Sequence, residues 1–366
     1  MNKVNIGIIG TGQIGRHHLM NYEKIEGVNI VAASDINEDG LNAACETYEI
    51  KNKYTDFKKM LERDDIDAVD VCLHNNLHRP ATVAALEAGK HVYCEKPIAG
   101  TYVDGKVMVE TAKKAGKMLH IQLATLYEKE TRAAQAIIQS KKLGRLYHAR
   151  STGFRRRGRP YVDGYGSMNF VKKEVAAGGA LFDTGIYQIA QVLYLIGSHG
   201  IERISGKIYQ ETSMDEKRKQ ESGYSVEEMG IGFVRFQNGL TLDIIETWAI
   251  HLDSFEGSSI VGSEGGIRLN PFSFHTTFCD LDMDSTFNLD MMSARRHRLY
   301  EDEVYFDSSQ EHWIGALLGK VELLPTAEIA LQTMLIQEGI YLSDALGREV
   351  TAEEVDRESE SKAAEI

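Results

Sequence analysis

The chain has 366 residues, of which 43% are hydrophobic and 26% are charged, and its 54 acidic and 41 basic residues give a formal net charge of −13. This length is sufficient for two domains, and the composition excludes a fibrous or wholly disordered protein. The negative charge argues against a general nucleic-acid binder and favours small-molecule chemistry.

The four cysteines are scattered and form no C-x-x-C pair, so we expect reduced thiols at Cys45, Cys72, Cys94 and Cys279. The first predicted strand starts so close to Met1 that we expect no signal sequence. No apolar run approaches the roughly 18 residues of a membrane-spanning helix. These features predict a cytoplasmic protein that does not associate with membranes.

An apolar run over residues 5–9 leads into a glycine turn and then into a predicted helix from Gln13 to Ile25. The spacing G-x-G-x-x-G, typical of a dinucleotide-binding turn, is formed by Gly10, Gly12 and Gly15. The first glycine permits a tight turn, the second lets the backbone approach a pyrophosphate, and the third lets helix and strand pack closely. The first helical turn, with Gln13 and Ile14, then offers N–H groups to the diphosphate.

The second apolar run, residues 28–34, ends in the carboxylate of Asp35. A carboxylate at this position accepts hydrogen bonds from the adenosine ribose hydroxyls and repels a 2′-phosphate, which favours NAD over NADP. No arginine follows it. The alternative is that Asp35 only caps a loop.

Helices and short apolar strands then alternate as far as residue 123, the pattern of a doubly wound parallel sheet. The predicted helices cover residues 40–48, 56–63, 80–88 and 102–115, and the predicted strands cover residues 67–73, 91–94 and 118–123. Polar side chains follow two of these strands, at the sheet edge where such folds bind ligands. Asn75 and His78 lie after the first, and Glu95 and Lys96 after the second, so both stretches are candidate cofactor sites.

From residue 124 the pattern changes to strands joined by turns, which predicts a C-terminal α/β domain with a large, mostly antiparallel open sheet. The predicted helices cover residues 130–142, 178–197 and 325–346, and the predicted strands cover 145–154, 201–209, 230–236, 241–248 and 258–269. Residues 280–307 give no clear pattern. We therefore predict a Rossmann domain over 1–123, a substrate-binding and oligomerisation domain over 124–350, and an acidic, disordered tail over 351–366.

Lys96 stands between a predicted buried strand and a proline, an unusual place for a residue that is rarely buried without a partner. Partial desolvation would lower its pKa towards neutrality, and its charge would polarise a substrate oxygen. The alternative is a loop lysine paired with Glu95 in water.

Asp183 and Tyr187 are four residues apart and share one face of a predicted helix, and Gly185 leaves room for a ligand or a neighbouring backbone. Alcohol oxidation needs a group that takes the hydroxyl proton, and a tyrosine beside a cationic lysine can do this. The alternative is a capping aspartate and a core tyrosine.

The basic run over residues 155–159 resembles an anion site, but in an acidic chain it is better explained as a solvated loop near a cleft. The histidines show no metal-ligand spacing within one element, since His74 and His78 straddle a predicted strand-to-helix loop. We infer no metal.

Together these residues resemble the glucose-fructose oxidoreductase / inositol dehydrogenase (Gfo/Idh/MocA) family over nearly the whole chain. The matching features are the Gly10–Gly15 turn, Asp35, Asn75-x-x-His78, Glu95-Lys96-Pro97, Gly178-Gly-x-x-x-Asp183-x-Gly-x-Tyr187, Asn238-Gly239, Trp248 and Gly262-Ser-Glu-Gly-Gly266.

The resemblance implies that Lys96 lies near the nicotinamide and the substrate, and that Asp183 and position 187 complete the catalytic group. It implies NAD as cofactor and hydride transfer to or from a ring hydroxyl of a sugar, glycoside or cyclitol. The 155–165 loop, with Arg156 and Tyr165, would contact the other hydroxyls. The open sheet commonly makes oligomer contacts, so we expect a homodimer or homotetramer.

Two departures from the family pattern stand out. Sugar and inositol dehydrogenases of the family usually have histidine where this chain has Tyr187, whereas the glucose-fructose oxidoreductase and dihydrodiol dehydrogenase branches have tyrosine. The usual Thr-Pro before the loop asparagine is here Leu73-His74. Two other functions stay open: a sugar–sugar oxidoreductase that recycles a tightly bound cofactor, and a non-catalytic NAD or sugar sensor.

Overall fold

The structure is a computed structural model that describes residues 3–197, 199–299 and 306–366. The described chain forms two compact units. The first contains residues 3–122, 306–328 and 361–366, and the second contains residues 123–197, 199–299 and 329–360. The first division falls beside the predicted domain boundary, but the return of two later segments to the first unit was not predicted.

The first unit is built on a six-stranded sheet in the order β3-β2-β1-β4-β5-β6, with parallel pairing throughout. Its strands are β1 Val4–Ile9, β2 Val28–Ser34, β3 Asn52–Tyr54, β4 Ala68–Val71, β5 His91–Cys94 and β6 Leu119–Ile121. Its helices include α1 Gln13–Tyr22, α2 Glu38–Thr47, α3 Phe57–Leu61, α4 Asn75–Glu87 and α5 Tyr102–Ala115. The predicted Rossmann sheet is thus confirmed.

Helix α4 starts at Asn75, five residues before the predicted start. The prediction placed the helix start at Pro80, because proline ordinarily occupies a first helical turn. Pro80 instead lies inside the helix. It has no N–H to donate to the carbonyl of Asn76, four residues earlier.

The second unit contains a nine-stranded sheet in the order β14-β13-β12-β11-β7-β10-β9-β8-β15. Its strands are β7 Leu146–Phe154, β8 Ile201–Tyr209, β9 Met229–Phe236, β10 Thr241–Thr247, β11 Ser259–Gly262, β12 Gly265–Arg268, β13 Ser273–Phe278, β14 Leu281–Thr286 and β15 Val350–Thr351. β7 and β10 pair in parallel, and the other described pairs are antiparallel. The predicted mostly antiparallel sheet is confirmed.

The remaining helices are α6 Lys129–Gln139, α7 Lys173–Ala176, α8 Ala180–Asp183, α9 Gly185–Ile196, α10 Glu216–Ser222, α11 Leu289–Leu299, α12 Ser309–Leu317, α13 Thr326–Leu346 and α14 Ala352–Glu358. Helix α12 belongs to the first unit, where Trp313 packs against Tyr93 of β5. Among the described residues, no helix is long and apolar enough to cross a membrane.

Three sequence predictions differ from these elements. The helix predicted over 178–197 is divided into α8 and α9, and the strand predicted over 258–269 is a hairpin of β11 and β12. The unassigned stretch 280–307 contains β14 and α11, and its residues 300–305 lie outside the described residues.

The acidic tail, expected to be disordered, is also different. β15 pairs with β8, and Thr351 and Glu354 form a capping box that starts α14. Arg348 adds an ion pair to Glu354 at 2.7 Å. The acidic composition indicated disorder. Composition does not show the capping box or the strand pairing, and these contacts order the segment.

Candidate active site

The glycine turn joins β1 to α1, and each glycine has a different surrounding. A Cβ on Gly10, whose φ is +95°, would lie 2.3 Å from the carbonyl oxygen of Cys72, and a Cβ on Gly15 would lie 1.9 Å from the carbonyl oxygen of Gly10. Nothing lies within 4 Å of the corresponding position on Gly12. The first and third glycines therefore allow close backbone packing, and the second leaves open space at the start of α1. Gln13 and Ile14 are exposed there.

Asp35 directly follows β2 and ties that strand to the glycine turn. One carboxylate oxygen accepts the Thr11 N–H at 2.7 Å, and the other accepts the Asn37 N–H at 2.8 Å. Asp35 thus does cap the loop, as the alternative interpretation held. Its carboxylate is only half-buried and lies beside the turn, where it can still accept a ribose hydroxyl.

His78 and Glu95, both predicted to bind the cofactor, have side chains enclosed by protein. His78 is fully buried, with its ring nitrogens 2.7 Å from the Pro97 carbonyl oxygen and 3.1 Å from that of Leu73. Burial lowers its pKa. These contacts show that the His78 side chain holds α4 against the loop that follows Lys96, and cofactor binding at His78 stays a prediction. Asn75, at the start of α4, is half-buried.

Glu95 is buried after β5, so it is not the water-exposed partner that the alternative for Lys96 assumed. One carboxylate oxygen lies 2.8 Å from Nε2 of His18, and the other accepts the backbone N–H of Lys96 at 3.1 Å. Burial alone would raise the Glu95 pKa, but His18 and Lys96 outweigh it and lower that pKa. Glu95 therefore fixes the backbone of Lys96, whose own side chain is half-buried.

His18 and Asp70, which were not among the predicted site residues, extend this arrangement. Nδ1 of His18 lies 2.9 Å from Asp70 in β4, and Cys72 lies 3.2 Å from the same nitrogen. The ligand atoms of these three residues lie within 4.8 Å of one another, a spacing that a metal ion could bridge. The Glu95 carboxylate is not part of this group of three. It forms hydrogen bonds with the second ring nitrogen of His18 and with the Lys96 N–H. A charged residue inside an apolar strand was the signal available in the sequence.

In the second unit, Asp183 ends α8 and its carboxylate is anchored from two sides. Oδ2 accepts hydrogen bonds from Arg155 and from the indole N–H of Trp248, each at 3.2 Å. Trp248 is fully buried. Arg155 also donates to the hydroxyl of Tyr165 at 2.6 Å, and its guanidinium lies 5.7 Å from the centre of that ring. The structure therefore brings Asp183, Arg155, Tyr165 and Trp248 together.

Arg156, predicted to contact substrate, has an exposed side chain. Its neighbour Arg155 is the residue that donates a hydrogen bond to Asp183. Adjacent residues leaving a strand point to opposite sides, and sequence could not choose between them. Arg159, from the same basic run, is fully buried and pairs with Asp163 and Glu228 at 2.9 and 2.8 Å. The run is therefore neither one anion patch nor a uniformly solvated loop.

Tyr187 lies in the first turn of α9, one turn after Asp183, and is half-buried. Its carbonyl oxygen accepts the Thr125 hydroxyl at 3.0 Å. A Cβ on Gly185 would lie 3.1 Å from Cγ of Glu246 and 3.6 Å from the carbonyl oxygen of Ala180, so this glycine admits both a neighbouring side chain and neighbouring backbone. Lys96 belongs to the first unit, and Asp183 and Tyr187 belong to the second.

Two family models match this chain. The model described as an oxidoreductase family with an NAD-binding Rossmann fold matches residues 4–123, and the model described as the GFO/IDH/MocA C-terminal domain matches residues 131–268. Together they cover most of the chain.

The chain is also similar to individual proteins. D-glucoside 3-dehydrogenase of Escherichia coli K12 is 28% identical over 355 residues, which is 95% of this chain and 97% of that protein. Inositol 2-dehydrogenase of Salmonella typhimurium LT2 is 36% identical over 149 residues, which is 39% of this chain and 44% of that protein. The solved structure of levoglucosan dehydrogenase in complex with NADH is 20% identical, with a TM-score of 0.78 over 96% of this chain and 99% of that one. This last likeness shows the fold.

Proposed function

Because this chain belongs to the Gfo/Idh/MocA family of NAD-binding oxidoreductases, we propose that it is a dehydrogenase for a ring hydroxyl of a sugar, glycoside or cyclitol. The observation that carries this proposal is the anchored carboxylate of Asp183, held by Arg155 and Trp248 one turn before Tyr187. The Escherichia coli relative, named for a D-glucoside, supports this substrate class and spans nearly the whole chain.

The first unit holds the cofactor in this proposal. The N–H groups at the start of α1 face the open space beside Gly12 and bind the diphosphate, while Asp35 accepts the ribose hydroxyls. NAD bound there would supply the hydride acceptor for the substrate carbon. The Lys96 ammonium polarises the substrate oxygen, on a backbone fixed by Glu95.

The second unit holds the substrate. The two donors on Oδ2 of Asp183 fix the orientation of the carboxylate, which accepts a hydrogen bond from a substrate hydroxyl. Tyr187 takes the proton of the reacting hydroxyl as the hydride leaves. Tyr165 and Arg155 contact the remaining hydroxyls.

The test is an assay of NAD reduction against a panel of sugars, glycosides and cyclitols, with wild type and Lys96→Met. This variant keeps a similar side-chain volume but has no charge or proton to transfer. We expect its kcat to fall by about 10²–10⁴-fold while its affinity for NAD is retained. A near-native kcat in this variant would mean that Lys96 does not act in the reaction.

The ultraviolet spectrum of the purified protein distinguishes the two other functions. Reduced nicotinamide that forms only when a sugar is added indicates the proposed dehydrogenase. Bound cofactor that is reduced by one sugar and reoxidised by a second, without release, indicates sugar–sugar oxidoreduction. Bound cofactor that no sugar alters indicates a sensor.

The proposal includes a homo-oligomer formed through the nine-stranded sheet and a location in the cytoplasm. Light scattering measures the first. The four free cysteines, at positions 45, 72, 94 and 279, are typical of a reducing compartment and support the second, which cell fractionation checks.

A further inference from the structure

Residues 361–366 return to the first unit and bind at the starts of two of its helices. The N–H of Ala364 donates to the carbonyl oxygen of Asn76 at 2.9 Å. In a regular helix this carbonyl would accept the N–H of residue 80. Residue 80 is a proline, which has no N–H to donate. The returning segment therefore supplies a donor where the sequence of α4 lacks one.

The same segment also contacts α5 through Asp104, which is almost completely buried. The hydroxyl of Ser361 donates to this carboxylate at 2.6 Å, and the N–H of Lys362 donates at 3.0 Å. Thr101 and Arg79 donate to it as well, each at 2.7 Å. A buried carboxylate needs such donors, and two of the four that the described residues supply come from the returning segment.

The loop that carries Lys96 runs between these two anchor points. Its residues 97–101 are buried. A Cβ on Gly100 would lie 3.9 Å from Cα of Asn76 and 4.0 Å from Cβ of Lys362. At the other end of the loop, the Pro97 carbonyl oxygen lies 2.7 Å from His78 of α4. The start of α4, the loop and residues 361–364 are therefore packed against one another.

We propose that residues 361–364 are positioning residues for Lys96. By joining the starts of α4 and α5, they enclose the 97–101 loop and hold the backbone that orients the lysine side chain. This inference rests on the proposed function, since Lys96 is the group being positioned. A small displacement of a catalytic group is enough to reduce turnover strongly.

Two truncations of the full chain test the proposal. Removal of 361–366 deletes the donors of Ser361, Lys362 and Ala364. Removal of 365–366 alone keeps those donors and loses the contact of Ile366 with Lys58, so it is the matched control. We expect the longer truncation to lower kcat by about tenfold or more, with the KM for sugar unchanged, and the shorter one to leave kcat unchanged. Equal kcat in wild type and a folded 361–366 truncation would overturn the proposal.

Ser361→Ala is the second variant, for use if the truncation does not fold. It removes one donor to Asp104 and should lower kcat in the same direction, and Ser361→Thr, which keeps the hydroxyl, should restore it. An unchanged kcat in Ser361→Ala would overturn the proposal.

Hydrogen exchange gives a readout that does not depend on turnover. Amides in 98–101 should be protected in wild type and exchange faster in the longer truncation. Failure of the wild type to turn over any sugar would contradict the proposed function, whereas unchanged exchange would contradict the positioning role.

Discussion

Oδ2 of Asp70 lies 2.9 Å from Nδ1 of His18, and both side chains are buried. The second ring nitrogen lies 2.8 Å from Glu95. A neutral imidazole has a single N–H and can donate to only one of these carboxylates, whereas the charged form donates to both. Burial is the largest single effect and lowers the His18 pKa, but Asp70 and Cys72 together outweigh it and raise that pKa well above its usual range.

We expect this charged His18 to stabilise the fold at neutral pH. Because its folded pKa is above the unfolded value of about 6.5, the contribution is fully present below that pH and is lost as pH rises through the folded pKa. Asp70→Asn should lower the free energy of unfolding at pH 7 by about 3 kcal/mol and weaken the alkaline loss. Urea unfolding at a series of pH values measures both.

Asp67→Asn provides the control for this measurement. Asp67 immediately precedes β4 and accepts the N–H of Asn5 at 2.9 Å, away from His18. The alkaline loss of stability should be the same in this variant and in wild type. If Asp70→Asn also left it unchanged, His18 would not be the charged group of the network.

Local patterns were sufficient to predict the turn between β1 and α1 and the position of Asp35 after β2, because each depends on residues near in sequence. The class of each sheet, parallel in the first unit and mostly antiparallel in the second, followed from whether helices or turns separate its strands. The contact between His18 and Asp70 could not be predicted, since it joins α1 to β4 across 52 residues. A single sequence does not specify which buried polar groups will meet.

The error at Pro80 has an equally specific cause. Pro80 was taken as a helix start because its missing N–H is easily accommodated there, and the donor from Ala364 that serves Asn76 is 288 residues away in the chain. The choice of Arg156 rather than Arg155 for substrate contact stays a prediction, because a basic run does not indicate which side chain faces a substrate. At Pro80, a tertiary contact rather than local preference decided the outcome.

Arg155→Met tests the arrangement at Asp183. It removes the guanidinium that donates to Oδ2 at 3.2 Å, so the carboxylate loses part of its orientation and one charge partner. We expect kcat/KM for the best sugar to fall by about 10²-fold. Arg156→Met removes the neighbouring exposed charge and should have a clearly smaller effect. Steady-state kinetics of both variants decide the ranking, and a larger loss in Arg156→Met would support the sequence prediction instead.

The buried carboxyl group of Glu246 should make stability depend on pH. An ion pair lowers the pKa of a carboxylate, whereas burial raises the pKa of Glu246. It is fully buried in β10, where one oxygen accepts the Ser151 hydroxyl at 2.9 Å, and burial raises its pKa from 4.5 to about 8. The unfolded chain releases this proton at lower pH, so stability falls as pH rises from about 4.5 to 8. Glu246→Gln should remove this fall and be more stable than wild type at pH 8, by up to roughly 5 kcal/mol.

Denaturant unfolding at pH 5 and pH 8 measures the Glu246 effect as a difference between wild type and variant. Glu202→Gln is the control, because Glu202 lies on β8 of the same sheet with an exposed side chain. Its difference from wild type should be the same at both pH values. A Glu246→Gln protein whose stability changes with pH as the wild type does would mean that Glu246 titrates normally.

The last prediction concerns Tyr187, the position at which this chain departs from the histidine of the sugar and inositol dehydrogenases that it resembles. Tyr187→Phe removes only the hydroxyl, and the carbonyl contact with Thr125 is unaffected because it belongs to the backbone. Packing should therefore survive. We expect kcat for sugar oxidation to fall by about 10²-fold or more. A tyrosine must lose its proton to act as a base, so wild-type kcat should rise towards alkaline pH, and this rise should be absent in the variant.

Tyr194→Phe is the matched control, because it makes the same change on the same helix, two turns further on. The Tyr194 hydroxyl accepts a hydrogen bond from Gln135 at 2.8 Å, so its loss affects packing between helices α9 and α6 and should leave kcat and its pH profile unchanged. Equal unfolding midpoints in the two variants would show that any difference in kcat is chemical. If Tyr187→Phe kept both the wild-type rate and the alkaline rise, Tyr187 would be a packing residue, and the proton would have to pass to Lys96 or Asp183.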